Sequence, residues 1–266
     1  MYIRRRIKQY QQIGNGVTWT DKAKLFLLAL FFTLPNKITN MNAQTPQFMI
    51  GLTKNLRVNY NDRIYKLSHP RQIFMITDQY ERNIRHWFDM TGDTFLDIGA
   101  NIGKYSLMLC NRFRDVHSFE PTPETNMILY HNVLVNGIRN IQIYSKAAWN
   151  KAETLTFYLK NNPGGNSATF QTEKAVKTLK VEAIQLDSLI EFFGKVDLVK
   201  IDVEGAEPEA LQGMTEIIRR DKPVMIVEIL ESNEQTVYGF MESMGYALVE
   251  KQNRNHLFKP VKRDSS

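Results

Sequence analysis

Apolar and polar positions along the chain fall into two regimes. From about residue 92 onward, short apolar runs alternate with stretches of helical spacing. The runs are "TFLDI" (94–98), "DVHSFE" (115–120), "IQIYSKAAW" (141–149, a strand and the turn beyond it), "TLTFYL" (154–159), "LKVEAIQL" (179–186), "VDLVKI" (196–201) and "PVMIVEI" (223–229). Between them, "KYSLMLCNRF" (104–113) has helical periodicity. A second helix is expected with Thr122 at its N-cap, Pro123 in its first turn and Gly137 just past its end. A third opens near Pro208, and a fourth is bounded by a Ser232–Gln235 capping box and Gly245. "YALVEK" and "HLFKP" suit a terminal hairpin around "QNRN". Strands alternating with helices predict an α/β fold with a mostly parallel sheet covered by helices on both faces. No internal repeat or low-complexity segment interrupts it.

Residues 1–90 lack this alternation and are expected to form a mainly helical N-terminal appendage, with residues 91–266 as the principal domain. The apolar run "LFLLALFFTL" (25–34) is shorter than the about 20 residues that a membrane-spanning helix needs. It reads as a helix buried against the larger domain, or as a segment resting on an anionic membrane surface or substrate. It makes a poor signal peptide, because the charged lead-in is long and no small-x-small cleavage site follows. Charge sharpens the division. Residues 1–90 carry 14 Lys and Arg against 5 Asp and Glu, a net of +9, and residues 91–266 carry 20 against 23, a net of −3. A single cysteine, Cys110, excludes an internal disulfide and fits a reducing compartment, so a cytoplasmic protein is the expected setting, with peripheral membrane contact through the basic N-terminus as the alternative to a buried helix.

Parallel sheets bind ligands at the carboxyl ends of their strands, so the residues there are the candidates for chemistry. The first strand runs into "DIGANIG", Asp97 to Gly103. Gly99 permits a tight turn, Gly103 a close helix–strand approach, and backbone N–H groups at the helix start face a ligand. Asn101 stands where a dinucleotide-binding G-x-G-x-x-G needs its second glycine, which speaks against NAD. Asp97 can meet the ammonium of an amino-acid-like ligand. Glu120, 23 residues later at the next strand end, can accept from both ribose hydroxyls. Ala147 and Ala148 leave room for a flat adenine ring, with Trp149 as a wall. The candidate cofactor set is thus Asp97, Gly99, Ala100, Asn101, Gly103, Glu120, Ala147 and Ala148, and together these describe a pocket for S-adenosylmethionine (SAM).

"FLDIGANIGKYSL", "SFEPTPETNMILYHNVLVNG", "AAW", "NSAT" and "VDLVKIDVEGAEPEALQGM" together resemble the FkbM family of SAM-dependent methyltransferases, over residues 92–230. "VKIDVEGAE" is the most specific element. The resemblance implies a class I methyltransferase fold, Rossmann-like and seven-stranded with one antiparallel strand near an edge. It further implies O-methylation, commonly of sugar or polyketide hydroxyls, with Asp202 nearest the transferred methyl. The N-terminal 90 residues lie outside the matching motifs, so acceptor choice is open.

Transfer from a sulfonium needs the acceptor oxygen held in line and its proton removed. Asp202 ends the "VDLVKI" strand and can accept or orient that hydroxyl. Glu204 would strengthen it as a base by like-charge repulsion, while Lys200, two residues earlier on the strand, acts oppositely. Glu207 and Glu209 flank Pro208 and suit a helix N-terminus. Asp202, Glu204 and Glu228 could also hold a divalent cation, but no further ligand is identifiable and no metal is expected. Asn166 and Ser167 can close over the site or make turns. His117, His256 and Cys110 read as structural. The acceptor is expected to be a glycan, glycolipid or related metabolite. An RNA 2′-O-methyltransferase, using the basic N-terminal third on phosphates, and a non-catalytic SAM-fold binding protein remain alternatives.

Overall fold

The structure, a computed structural model, describes residues 15–33, 47–159 and 177–261, with no side chains described at 31–33. Two compact units emerge, Met1–Arg82 with Ile128–Gly137, and Asn83–Met127 with Ile138–Ser266.

In the first unit the described elements are β1 (Asn15–Gly16), α1 (Trp19–Thr33), α2 (Gln47–Thr53), β2 (Leu56–Tyr60), β3 (Arg63–Leu67) and α3 (Pro70–Met75). The expected mainly helical appendage thus contains a three-stranded antiparallel sheet, ordered β1-β2-β3. Its hairpin turns through Asn61 and Asp62, both left-handed at φ 48° and 58°. That is the primed-turn geometry that matches strand twist, and Asn and Asp tolerate it best after glycine. Asp21 at the start of α1 ties helix to sheet: its Oδ1 accepts from the Arg57 N–H at 3.1 Å, and its Oδ2 from the Thr18 hydroxyl at 2.7 Å. Asn132 and Asn136, from the helical segment counted with this unit, accept from the N–H groups of Lys66 and Ile64 on β3 at 2.6 and 2.9 Å. The edge of β3 therefore keeps its backbone donors paired.

The second unit contains β4 (Gly92–Ile98), α4 (Lys104–Leu109), β5 (Phe113–Phe119), the start of α5 (Pro123–Val135), β6 (Ile141–Tyr144), β7 (Ala147–Ala148), β8 (Glu153–Leu159), β9 (Lys177–Ile184) and β10 (Val196–Ile201). It continues with α6 (Glu207–Gln212), α7 (Thr215–Asp221), β11 (Val224–Glu228), α8 (Glu234–Ser243), β12 (Tyr246–Gln252) and β13 (Asn255–Pro260). Seven strands form one sheet in the order β12-β13-β11-β10-β4-β5-β6, and only β13 runs antiparallel to its neighbours. Strands buried on both faces read as near-continuous apolar runs, and Val196, Leu198, Val199 and Ile201 of β10 are all fully buried. On this face Leu96, Ile98, Phe119, Ala210, Leu211, Met225, Val227 and Met241 belong to one core.

Two local expectations are corrected and a third is completed. The helix expected over 104–113 stops at Leu109, because Phe113 is already paired in β5. Within 141–149, read as a strand and the turn beyond it, the strand ends at Tyr144. Ala147 and Ala148 leave the large sheet and pair parallel with β9 in a separate three-stranded sheet, β7-β9-β8. The Ser232–Gln235 capping box does not form. A single 3-10 turn, Glu231–Asn233, makes Asn233 rather than Ser232 the N-cap of α8, with no capping bond from its side chain.

Candidate active site

The chain enters the large sheet at β4 and builds outward in both directions, through β5 to one side and β10 to the other. That reversal opens a crevice at the carboxyl ends of β4, β5 and β10, where doubly wound sheets hold their ligands. Backbone bonds knit the three ends together. The N–H groups of Gly99 and Ala100 both donate to the Phe119 carbonyl, at 2.9 and 3.0 Å, and the Asp202 N–H donates to the Ile98 carbonyl at 2.9 Å.

The loop after β4 places three residues at alternate positions in the left-handed region: Gly99, Asn101 and Gly103, at φ 84°, 51° and 89°. Asparagine tolerates that conformation better than most residues, so Asn101 keeps the path of the loop where a glycine would otherwise be needed. Gly99 has no such freedom, because a Cβ there would collide with the Asp202 carbonyl as well.

Asp97 is buried beneath this loop. Its Oδ2 accepts from the N–H and hydroxyl of Ser106 at 3.0 and 2.5 Å, and Ser106 in turn bonds Ser118 Oγ at 2.8 Å. Its Oδ1 is buried with no partner, as is Asn101 Oδ1. Burial pushes the Asp97 carboxyl upward, opposed by Lys200 and the two Ser106 bonds. Glu120 is held by backbone and hydroxyl groups: Oε2 accepts from Asn101 N–H at 3.1 Å and Oε1 from Thr122 N–H at 2.8 Å, with the Thr122 hydroxyl adding a third bond. Burial nevertheless raises it from an ordinary value of 4.5 to about 7.

At the end of β10, Lys200 is 2% exposed, and its ammonium meets Asp202 Oδ2 at 2.9 Å. It also lies 4.9 Å from the centre of the Tyr105 ring, and sheet register sets it beside Asp97. A buried lysine needs such partners, since an isolated ammonium out of water is strongly disfavoured. The Asp202 side chain is 25% exposed, so it is open to an incoming group. Glu204 follows on the turn at φ 52° and Gly205 at φ 106°. Glu207 stands at the helix start where it was expected, and it does more there than complement the helix end. It is buried in the first turn of α6, where Oε1 accepts from Gly205 N–H and Oε2 from the Asn233 amide, both at 2.7 Å. The Asn233 amide also donates to the Gly205 carbonyl at 3.0 Å. Glu207 therefore braces the turn that carries Asp202 and Glu204, and burial pushes its carboxyl upward.

Ala147 and Ala148 are both buried on β7. The Trp149 ring packs with the small sheet and donates Nε1–H to Glu153 at 2.8 Å. His117 bonds the Tyr144 hydroxyl at 3.0 Å, His256 is fully buried in the β12–β13 hairpin, and Cys110 is buried at the end of α4. Asn166 and Ser167 lie outside the described residues. Among the described residues, no group of three or more His, Cys, Asp or Glu is arranged to hold a metal ion. Tyr105, Ser106 and Ser118 fall within the quoted family stretches but were given no role of their own, and Asn233 lies outside those stretches. Thr122 read only as a helix cap, although its position two residues after Glu120 is what lets it grip that carboxylate.

The strand order, the single antiparallel strand beside the edge and the acids at successive strand ends define a class I methyltransferase fold. The model for the methyltransferase FkbM domain matches residues 97–248, and the chain belongs to this family. The chain is 25% identical over 182 residues to "Methyltransferase 1" of Beauveria bassiana, covering 59% of this chain and 73% of that protein. It is 31% identical over 147 residues to the hexuronic acid methyltransferase AglP of Haloferax volcanii, covering 52% of this chain and 56% of that protein. Among solved structures, the methyltransferase FkbM from Methylobacillus flagellatus KT matches with a TM-score of 0.49 and 16% identity, over 97% of this chain and 59% of that one.

Proposed function

We propose that this protein is a SAM-dependent O-methyltransferase acting on a hydroxyl of a glycan, glycolipid or related metabolite. The observation that carries the reading is the buried Asp97 carboxylate with its partnerless Oδ1, set in one crevice with Glu120 and Asp202. A buried acceptor without a partner is costly, and an ammonium donor from a ligand would satisfy it. Glu120 would take the ribose hydroxyls, and the Gly99–Gly103 loop would wrap the amino-acid portion. Ala147 and Ala148 would border the adenine. Bound SAM supplies a methyl carbon already activated by its sulfonium.

The chain's own residues then have defined tasks. Asp202 accepts or orients the acceptor hydroxyl proton. With Lys200 bonded to Oδ2, Oδ1 is the atom presented to it. Lys200 holds the Asp202 carboxylate in place through its bond to Oδ2, so Asp202 works chiefly by positioning. Glu204, on the same turn, is the second candidate to touch the acceptor. The sugar-acid acceptor named for the Haloferax relative supports a glycan substrate here.

Calorimetry with SAM tests the cofactor, and absence of binding at millimolar ligand would refute it. Incubation with methyl-labelled SAM and a cell extract, fractionated into glycans, lipids, small metabolites and RNA, tests the acceptor. Label confined to RNA would replace the glycan reading.

A further inference from the structure

Helix α1 has a side that its own unit leaves uncovered. Asp21 and Leu28 are its buried positions, and Asp21 is fixed by the bonds to Arg57 and Thr18 described above. The rotation of the helix about its axis is therefore set. Opposite them lie Trp19, Ala23, Phe26 and Leu27, spaced i, i+4, i+7 and i+8, so that they form one stripe. Trp19 is 86% exposed, Phe26 64% and Leu27 50%. An aromatic and aliphatic stripe of this kind on a soluble surface marks something that binds there.

Charge identifies the partner. Lys22 is exposed beside the stripe and holds its ammonium 5.2 Å from the Trp19 ring centre. Lys24 is a second cation on the same helix, and the sequence puts Arg4, Arg5, Arg6 and Lys8 ahead of it. Tryptophan and lysine at one end of an apolar stripe, on the strongly basic third of the chain, is the pattern of a helix lying in the headgroup layer of an anionic bilayer. None of the helices among the described residues is long and apolar enough to cross a membrane. We propose that α1 docks this protein on an anionic lipid surface, with Trp19, Phe26 and Leu27 in the interfacial layer and Lys22 against lipid phosphates. The inference is independent of which acceptor is methylated.

The test is co-sedimentation of the full chain with sucrose-loaded vesicles, either pure phosphatidylcholine or phosphatidylcholine with about a third phosphatidylglycerol. Binding is expected on the anionic vesicles at least about tenfold above the neutral ones, and it should weaken in about 0.5 M salt. Both substituted positions of Phe26→Glu/Leu27→Glu are exposed. This variant should keep the far-UV spectrum and melting temperature of the parent and lose that binding at least about tenfold. Lys22→Glu should lose part of it on anionic vesicles only. Equal binding by the double glutamate variant, or no preference for anionic lipid, would overturn the proposal. So would a parent that binds no vesicles but forms a dimer dissociated by the same substitutions, which would assign the stripe to a second copy of the chain.

Discussion

The Lys200 ammonium bonds Asp202 and lies beside Asp97 on the neighbouring strand, while being almost fully removed from water. Removing it strands a buried carboxylate and frees a second one. Lys200→Met is therefore expected to cost about 3–5 kcal/mol of stability, measured by denaturant unfolding. It should also weaken SAM binding by calorimetry, since Asp97 would shift further toward its neutral form and accept an ammonium less well. Asp202→Asn makes the complementary case. It keeps the size of the side chain and should leave SAM affinity within about threefold while lowering kcat by roughly a hundredfold or more. Undiminished turnover in Asp202→Asn would remove Asp202 from the reaction. At this scale the sequence already singled out Asp97, Glu120 and Asp202, because acids at strand ends have few structural reasons to be there. It placed Lys200 near Asp202 but could not say that the two touch. It gave no sign of the Ser106–Ser118 support or of the Asn233 amide bracing Glu207, since each joins residues from different elements.

Among the elements, the loop between β4 and α4 is the least tolerant. Gly99 combines a φ of 84° with a Cβ direction blocked by the Asp202 carbonyl. Gly99→Ala is expected to destabilise the protein by at least about 2 kcal/mol, read from equilibrium unfolding, and to separate β4 from the end of β10. Strands and helices of this unit were legible because buried parallel strands are continuous apolar runs and residues such as Pro123 and Gly137 mark where helices start and stop. Other ends were less so. Phe113 reads as helical by spacing but is claimed by β5, and the turn after the strand at 141–144 gave no sign that Ala147 and Ala148 pair in another sheet. The β2–β3 hairpin was also written locally, in alternating runs around Asn61-Asp62. The surrounding helical and apolar segments masked so short a signal.

For the molecule as a whole, the acid-lined crevice links folding, pH and ligand. The folded value of Glu120, about 7, lies above its ordinary 4.5. Its contribution to stability is thus fully present below about 4.5 and is lost as pH rises through about 7, an effect of at most about 3 kcal/mol. Thermal melts of the SAM-free protein should accordingly fall between pH 5 and 8 more steeply in the parent than in Glu120→Gln. If ribose hydroxyls donate to Glu120, SAM prefers the ionised form. Its affinity should then rise with pH and level off above about 8, while Glu120→Gln binds weakly with a flattened profile. A parent whose SAM affinity does not vary across this range would take Glu120 out of cofactor binding.

The sequence by itself determined the class of this protein. Apolar periodicity encodes an alternating α/β sheet, the glycine loop and strand-end acids mark the strand ends for which a cofactor is proposed, and the "VKIDVEGAE" stretch lies within the part that matches the family. These are local signals, each carried within a few residues. The tertiary structure decided which distant residues share a site. Strand order brought β4, β5 and β10 side by side, so that Lys200 could neutralise Asp202 next to Asp97. Packing of Asp21 against β2 turned the apolar stripe of α1 outward. Neither follows from spacing along the chain, because pairing across a sheet and burial against another element depend on contacts between segments far apart in sequence.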